Sequence, residues 1–166
     1  MKAQQDNSSI PQILSPSLPS HPKSRGLRPL FDAKTGLPVQ AILPQLLDDF
    51  FRYYGDNFCH LNRKHLDSLI ERREASVFLI CVMAALSSRF SPPTLFVGFL
   101  PPKEDGSERE SWEFSKPFLD QAKALTMSAV DLPSPAVVGG LIMLAFVDFG
   151  DNNEAGMWII PFHYYD

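Results

Sequence analysis

The residues of this chain best suited to chemistry are its thiols and imidazoles, namely Cys59, Cys81, His21, His60, His65 and His163. Cys59, His60 and His65 are close in sequence and carry the donor atoms that bind Zn²⁺. His60 and His65 are five residues apart, however, so they do not share one helix face as ligands at i and i+4 do. We therefore predict no metal site, and we expect both cysteines to be buried, reduced side chains.

No other motif indicates catalysis. Asp48 and Asp49 are adjacent, so their carboxylates diverge on a helix, and we expect both on the surface. The sequence holds no G-x-S-x-G elbow, no Walker loop and no G-x-G-x-x-G turn. Trp112 and Trp158 are expected to anchor a core or an interface. We predict no catalytic, cofactor-binding or metal-ligating residue, and we predict that the protein is not an enzyme.

Composition and charge narrow the classes further. The 166 residues suit one domain or most of one, and an apolar fraction of 45% excludes full disorder. No apolar run reaches about 18 residues, so we expect no membrane span. The N-terminus lacks the apolar core of a secretory signal. Residues 1–40 carry a net charge of +3 and residues 41–166 carry −7, so the acidic part is not expected to bind nucleic acid directly.

The spacing of prolines and apolar residues divides the chain into a linker and helices. Residues 1–40 are rich in proline and serine and predict a disordered linker. No segment alternates with period two, so we predict an all-α fold of about five helices and a sixth cut short. The predicted helices are Leu43–Tyr54, Asn62 to about Arg73, Ala75–Phe90, about Ser115 to Leu132, Ser134–Phe149 and Glu154–Ile160. A loop over residues 91–111, ending in the charged run 103–110, separates the third helix from the fourth.

The third and fifth predicted helices are apolar on nearly all sides and need partners. Gly139 and Gly140 lie in the second turn of the fifth helix, where they either allow a close helix contact or indicate that the helix begins later. We predict an exposed apolar patch of more than a few hundred Å² near these two helices, which would favour oligomers.

Four segments together resemble a known family. They are the turn Phe58–Leu61 after an aromatic helix, Leu79–Phe90, Lys116–Leu125, and Pro135–Phe149 followed by Gly156-Met157-Trp158. In this order and spacing they resemble the regulatory, or middle homology, domain of fungal zinc-cluster (Zn2Cys6) transcription factors of the xylanolytic-activator type. The resemblance covers about Leu46 to Ile159.

The resemblance implies an all-helical regulatory domain of a nuclear transcription factor that takes part in regulating DNA-templated transcription. In the family, an N-terminal cluster of six cysteines holds two zinc ions and contacts DNA. That cluster is absent here, Gly139-Gly140 replace a common Gln-Ala pair, and residues 161–166 diverge from the family. Zinc and DNA contact are thus implied only for full-length relatives, with no cofactor in this chain. Residues 41–160 would be a partial regulatory domain that binds proteins of the transcription machinery or an unknown effector.

Two alternatives remain open from the sequence. One is a small all-α enzyme or metabolite-binding protein with a pocket between the third and fifth helices, for which His60, His65 and Arg89 offer the polar groups. The other is a non-functional remnant that shares the fold of the family but has lost its DNA-reading part.

Overall fold

The fold consists of short α-helices joined by loops. The structure, a computed structural model, describes residues 26–150, with side chains as far as Asp148. Within that range the helices are α1 (Leu43–Tyr54), α2 (Arg63–Glu71), α3 (Val77–Ser87), a one-turn 3₁₀ helix (Pro93–Phe96), α4 (Ser111–Val130) and α5 (Pro135–Gly150). The described residues form only isolated β-bridges and no sheet, so the all-α prediction is confirmed. The predicted helix 154–160, Trp158 and the tail 161–166 lie outside the described residues.

Helix α3 lies at the centre of the molecule. Every residue from Phe78 to Ser87 is buried, and α1, α4 and α5 all pack against this helix. Its sequence contains no charged side chain, so no face favours water, and burial on all sides is the stable arrangement. Helix α2 is peripheral by comparison, because Leu66 is its one fully buried residue.

Two helix starts follow the predicted capping residues, and a third follows the predicted spacing of apolar residues. Helix α1 has the predicted bounds. At α2, the Asn62 side chain accepts a hydrogen bond from the His65 backbone N–H at 3.1 Å. At α5, the Ser134 hydroxyl accepts from the Val137 N–H at 3.3 Å, with a proline at the first helical position. Such caps satisfy backbone donors that have no partner within the helix.

The predicted bounds of α3 and α4 are wrong by several residues. Helix α3 starts only after Ser76, whose hydroxyl accepts from the Leu79 N–H at 3.3 Å. Helix α4 begins four residues before the predicted start, because Glu110 and Glu113 form a capping box in which each side chain accepts from the other's backbone N–H. Pro117, which we expected in the first turn, lies inside the helix.

The predicted loop between α3 and α4 contributes to the core. Its 3₁₀ helix buries Phe96, whose ring stacks on Phe114 of α4 with centroids 4.8 Å apart. Phe99 is also buried. Helix α3 ends at Ser87, before Pro92 and Pro93, and the chain that follows returns the Phe96 ring to α4.

The last third of the predicted linker is also packed, so a linker boundary at residue 40 is too late. We call residues 26–40 the N-terminal strap. Leu37 is 7% exposed, and the Phe31 ring meets Phe118 of α4 edge-on with centroids 5.7 Å apart. The strap therefore belongs to the globular unit.

A tight turn gives the strap its shape. The Asp32 carboxylate accepts backbone hydrogen bonds from Lys34 and Thr35, both at 2.9 Å. These bonds lower the pKa of Asp32. Gly36 follows with φ +71°, a backbone conformation that glycine adopts without strain. The turn brings Phe31 and Pro38 opposite each other as an isolated bridge and directs the apolar side chains of the strap to the core.

The start of the strap is fixed to the loop after the 3₁₀ helix. Arg28 donates from its backbone N–H to the Gly98 carbonyl at 2.8 Å and from Nη2 to the Val97 carbonyl at 3.1 Å. Its guanidinium also lies 4.2 Å from the centroid of the Phe99 ring. Arg28 therefore connects the N-terminal strap to the loop between α3 and α4.

Candidate functional site

The polar side chains singled out from the sequence lie on different elements. His60 is exposed in the α1–α2 connector and faces α5, where a Cβ added to Gly139 would stand 3.4 Å from its Nε2. His65 is exposed in the first turn of α2. Arg89 follows α3 and is half-buried. Among residues 26–148, no three His, Cys, Asp or Glu side chains lie together as a metal site requires.

The two cysteines have opposite environments. Cys81 is fully buried in α3, as expected, and burial raises the pKa of its thiol to about 12. Cys59 is exposed, so the expectation that both are buried is wrong for Cys59. Its neighbours Phe58 and Leu61 supply the apolar contacts of the connector instead. Two thiols on separate elements do not fit a cluster that needs six cysteines, so we derive no zinc chemistry for this chain.

Asp49 forms a buried polar contact that the sequence analysis did not anticipate. It is 2% exposed, whereas we expected it on the surface. Its carboxylate accepts from the Ser91 hydroxyl at 2.6 Å and from the Gln45 amide at 2.9 Å. Ser91 follows the end of α3, so the contact joins α1 to the chain leaving α3. The spacing of Ile42, Leu46 and Asp49 at i, i+4 and i+7 places the carboxylate on the apolar face, and this spacing is the signal that could have identified it.

Ion pairs join the other helices. Lys123 of α4 contacts Asp148 of α5 at 2.6 Å, and the Asp148 side chain is 3% exposed. Arg63 of α2 contacts Asp48 of α1 at 2.6 Å on a more exposed surface. The first pair therefore links α4 to α5 through one buried partner, whereas an exposed pair such as the second contributes about 0–1 kcal/mol. Asp48 is exposed, as predicted.

Helices α3 and α5 approach closely at Gly140. A Cβ added to Gly140 would stand 2.5 Å from Cε1 of Phe78, which is buried in α3. Any larger residue would require the Phe78 ring or the two helices to shift. From the sequence, Gly139 and Gly140 indicate either a close helix contact or a later start of the helix, and the structure supports the close contact. Helix α5 does not begin later, because Ser134 caps it and Pro135 is its first residue.

The opposite face of α5 is exposed and apolar. Val138, Ile142 and Phe146 are 42%, 49% and 54% exposed and recur every four residues along one side of the helix. We call these three residues the α5 stripe. The predicted apolar patch near α3 and α5 thus lies on α5 alone, because α3 is enclosed by its neighbours. Phe146 also meets the buried Phe58 ring edge-on at 6.0 Å, which connects the stripe to the core.

Two aromatic sites lie away from the stripe. Tyr53 stacks on Phe90 with centroids 4.7 Å apart, and each side chain is about half exposed. Trp112 is 51% exposed, so it does not anchor the core, which is one of the two roles expected for it from the sequence. Burial raises the pKa of Tyr54 next to this pair, although the charge of Arg89 acts in the opposite direction.

Comparisons with known proteins find no match. No protein-family model matches this chain, and neither a curated protein nor a solved structure matches it significantly. Within the described residues, no helix is long and apolar enough to cross a membrane.

Proposed function

We propose that this chain is the N-terminal part of the regulatory domain of a fungal zinc-cluster transcription factor. The proposal starts from the four resembling segments, which fall on the turn after α1, on α3, on the middle of α4 and on α5 with the residues after it. Each segment is degenerate alone, so their arrangement in the fold carries more weight than any single motif.

The observation that carries the proposal is the packing of α3. Helix α3, which carries most of the family-like sequence Leu79–Phe90, is enclosed by α1, α4 and α5, and α4 and α5 carry two of the other segments. The packing supports the proposal because the parts of the segments within residues 26–150 belong to one helical unit. An all-helical unit is also what the proposed regulatory domain requires.

The proposal assigns no DNA contact to the described residues. In relatives that contact belongs to a cluster of six cysteines, whereas this chain has two. The net charge of −7 over residues 41–166 disfavours a phosphate backbone as well. The proposed partners are therefore proteins of the transcription machinery or an effector that shifts the domain between conformations, in the nucleus.

A tethered reporter tests the proposal. The full chain is inserted between a bacterial DNA-binding domain and an acidic activation segment, upstream of a reporter gene in yeast. We expect the chain to change reporter output relative to a flexible linker of equal length. Gly140→Leu, which disrupts the α3–α5 contact, should remove that effect, whereas Gly139→Ala should retain it. Equal output from the folded chain, Gly140→Leu and the flexible linker would contradict a regulatory role.

A further inference from the structure

The loop between α3 and α4 has a packed part and an exposed part. Residues 93–100 bring Phe96 and Phe99 into the core. Within residues 101–110, in contrast, every residue is exposed except Lys103 and Arg109. We call residues 101–110 the lid. The two cations are only 24% and 21% exposed at their side chains, so in an otherwise exposed segment they must be held against a neighbouring element.

Both cations of the lid contact one carboxylate of α4. Lys103 Nζ lies 2.8 Å from Oε2 of Glu113, and Arg109 Nη1 lies 3.7 Å from Oε1 of the same side chain. The backbone N–H of Glu110, the last residue of the lid, donates to Oε2 of Glu113 at 2.7 Å. The ion pairs and side-chain hydrogen bonds described between the lid and the rest of residues 26–148 all involve Glu113. The polar attachment of the lid therefore depends on a single side chain.

The lid is also bonded internally, at its neck and at its tip. At the neck, Arg109 Nη2 donates to the Pro101 carbonyl at 2.5 Å. At the tip, the Asp105 carboxylate accepts from the backbone N–H and the hydroxyl of Ser107 at 2.9 and 2.8 Å. A segment that has its own internal bonds and one external attachment is expected to open as a unit rather than residue by residue.

We propose that the lid opens from α4 as a unit and that the Glu113 carboxylate is the clasp that holds it closed. Opening breaks the two ion pairs and frees Lys103 and Arg109, while Phe96 and Phe99 stay in the core because they precede the lid. The clasp is ionic and lies near the surface, so salt weakens it. This device does not depend on the family proposed above.

Limited digestion of the full chain with trypsin tests the clasp. Trypsin must bind the side chain of Lys103 or Arg109, and Glu113 holds both of these side chains while the lid is closed. Glu113→Gln removes the charge of the clasp but keeps a side-chain oxygen that can accept from the Glu110 N–H, as glutamine does in a capping box. We expect cleavage after Lys103 and Arg109 to be several-fold faster in Glu113→Gln than in the parent chain, with cleavage after Lys123 unchanged.

Asp120→Asn is the matched control on the same helix. It removes an exposed carboxylate that pairs with Lys116, so it makes the same change of charge without touching the lid. Its lid should be cleaved as slowly as that of the parent chain. Equal lid cleavage in the parent chain and Glu113→Gln would overturn the proposal, and so would an equal increase after Lys123, because it would indicate general unfolding of α4.

Salt provides a second measurement, made by hydrogen exchange of residues 101–110. We expect exchange in the parent chain to rise several-fold between low salt and about 1 M NaCl, where charges are screened beyond about 3 Å. Exchange in Glu113→Gln should not respond, because its clasp carries no charge. Salt-independent exchange in the parent chain, or an equal salt response in the two proteins, would overturn the proposal.

A change within the lid tests the same clasp from the other side and leaves α4 intact. Lys103→Gln removes one of the two partners of Glu113. It should speed tryptic cleavage after Arg109, since the remaining ion pair is the longer one. Cleavage after Arg109 at the parent rate would contradict the proposed clasp.

Discussion

Gly139 and Gly140 are adjacent in α5, but they face different neighbours. Gly140 faces the ring of Phe78 in the buried α3, whereas Gly139 faces the imidazole of the exposed His60. An aromatic ring in a packed core cannot move away cheaply, but the tip of a surface side chain can. Alanine substitutions at the two glycines therefore separate the effect of helix propensity on stability from the effect of core packing.

We expect Gly140→Ala to destabilise the protein by about 1–3 kcal/mol, because overpacking outweighs the gain in helix propensity. Gly139→Ala should be neutral or stabilising by up to about 1 kcal/mol, since its new methyl group meets only the imidazole. Urea unfolding followed by circular dichroism measures both. A Gly140→Ala protein as stable as Gly139→Ala would show that α3 and α5 do not approach as described.

Asp49 and Asp48 form a second matched pair. Asp49→Ala removes the acceptor for Ser91 and Gln45 and should cost about 1–3 kcal/mol of unfolding free energy. Asp48→Ala removes an exposed ion pair with Arg63 and should cost less than about 1 kcal/mol. The same urea titration compares them. A loss below about 1 kcal/mol in both variants would place Asp49 on the surface and contradict its burial.

Glu113 gives the start of α4 a dependence on pH. The hydrogen bond from Lys103 and the backbone N–H of Glu110 lower the pKa of Glu113 in the folded state. A depressed folded-state pKa stabilises the fold above the unfolded value of about 4.3, and this stabilisation disappears as the pH falls through the folded-state value. Between about pH 5 and pH 3, we expect Glu113→Gln to lose less stability than the parent chain. Identical acid titrations of the two proteins, by urea unfolding at each pH, would contradict this role.

At the scale of elements, the N-terminal strap and the loop before α4 act as part of the core. Arg28 holds the strap to the loop, and the loop reaches α4 through Phe96. Phe31 contacts α4 directly. The strap and the loop therefore supply apolar surface to α4 in addition to that of α3.

Leu37 tests the strap. It is 7% exposed, so Leu37→Ala should cost about 2–4 kcal/mol. Leu27→Ala, at a position 50% exposed near the start of the strap, should change stability by less than about 0.5 kcal/mol. Thermal unfolding by calorimetry distinguishes the two. A disordered linker over residues 1–40 requires instead that both changes be neutral.

The sequence predicts the elements better than their contacts. Helix α1 was predictable to the residue because its apolar positions follow one clear stripe, and α5 because serine and proline mark its start. The start of α4 was not, because its cap is Glu110 rather than one of the residues that usually cap helices. The burial of Asp49 and Leu37 depends on partners distant in sequence, Ser91 for the first and the core for the second.

At the scale of the whole molecule, the proposed regulatory role depends on the packing around the buried helix α3. Helices α1, α4 and α5 enclose α3, and the parts of the family-like segments within residues 26–150 lie on or beside these four helices. The sequence has two cysteines, whereas the cluster that contacts DNA in the proposed family has six. A regulatory domain of a zinc-cluster factor therefore requires its DNA-reading part to be encoded upstream of this sequence.

Long-read sequencing of the transcript measures that requirement directly. If the proposal is correct, the reading frame of this chain continues upstream into exons that encode six closely spaced cysteines among basic residues. It should also continue downstream into further helical sequence. A complete transcript in which an in-frame stop codon precedes Met1, with no such cluster encoded, would contradict the proposed membership of an intact transcription factor.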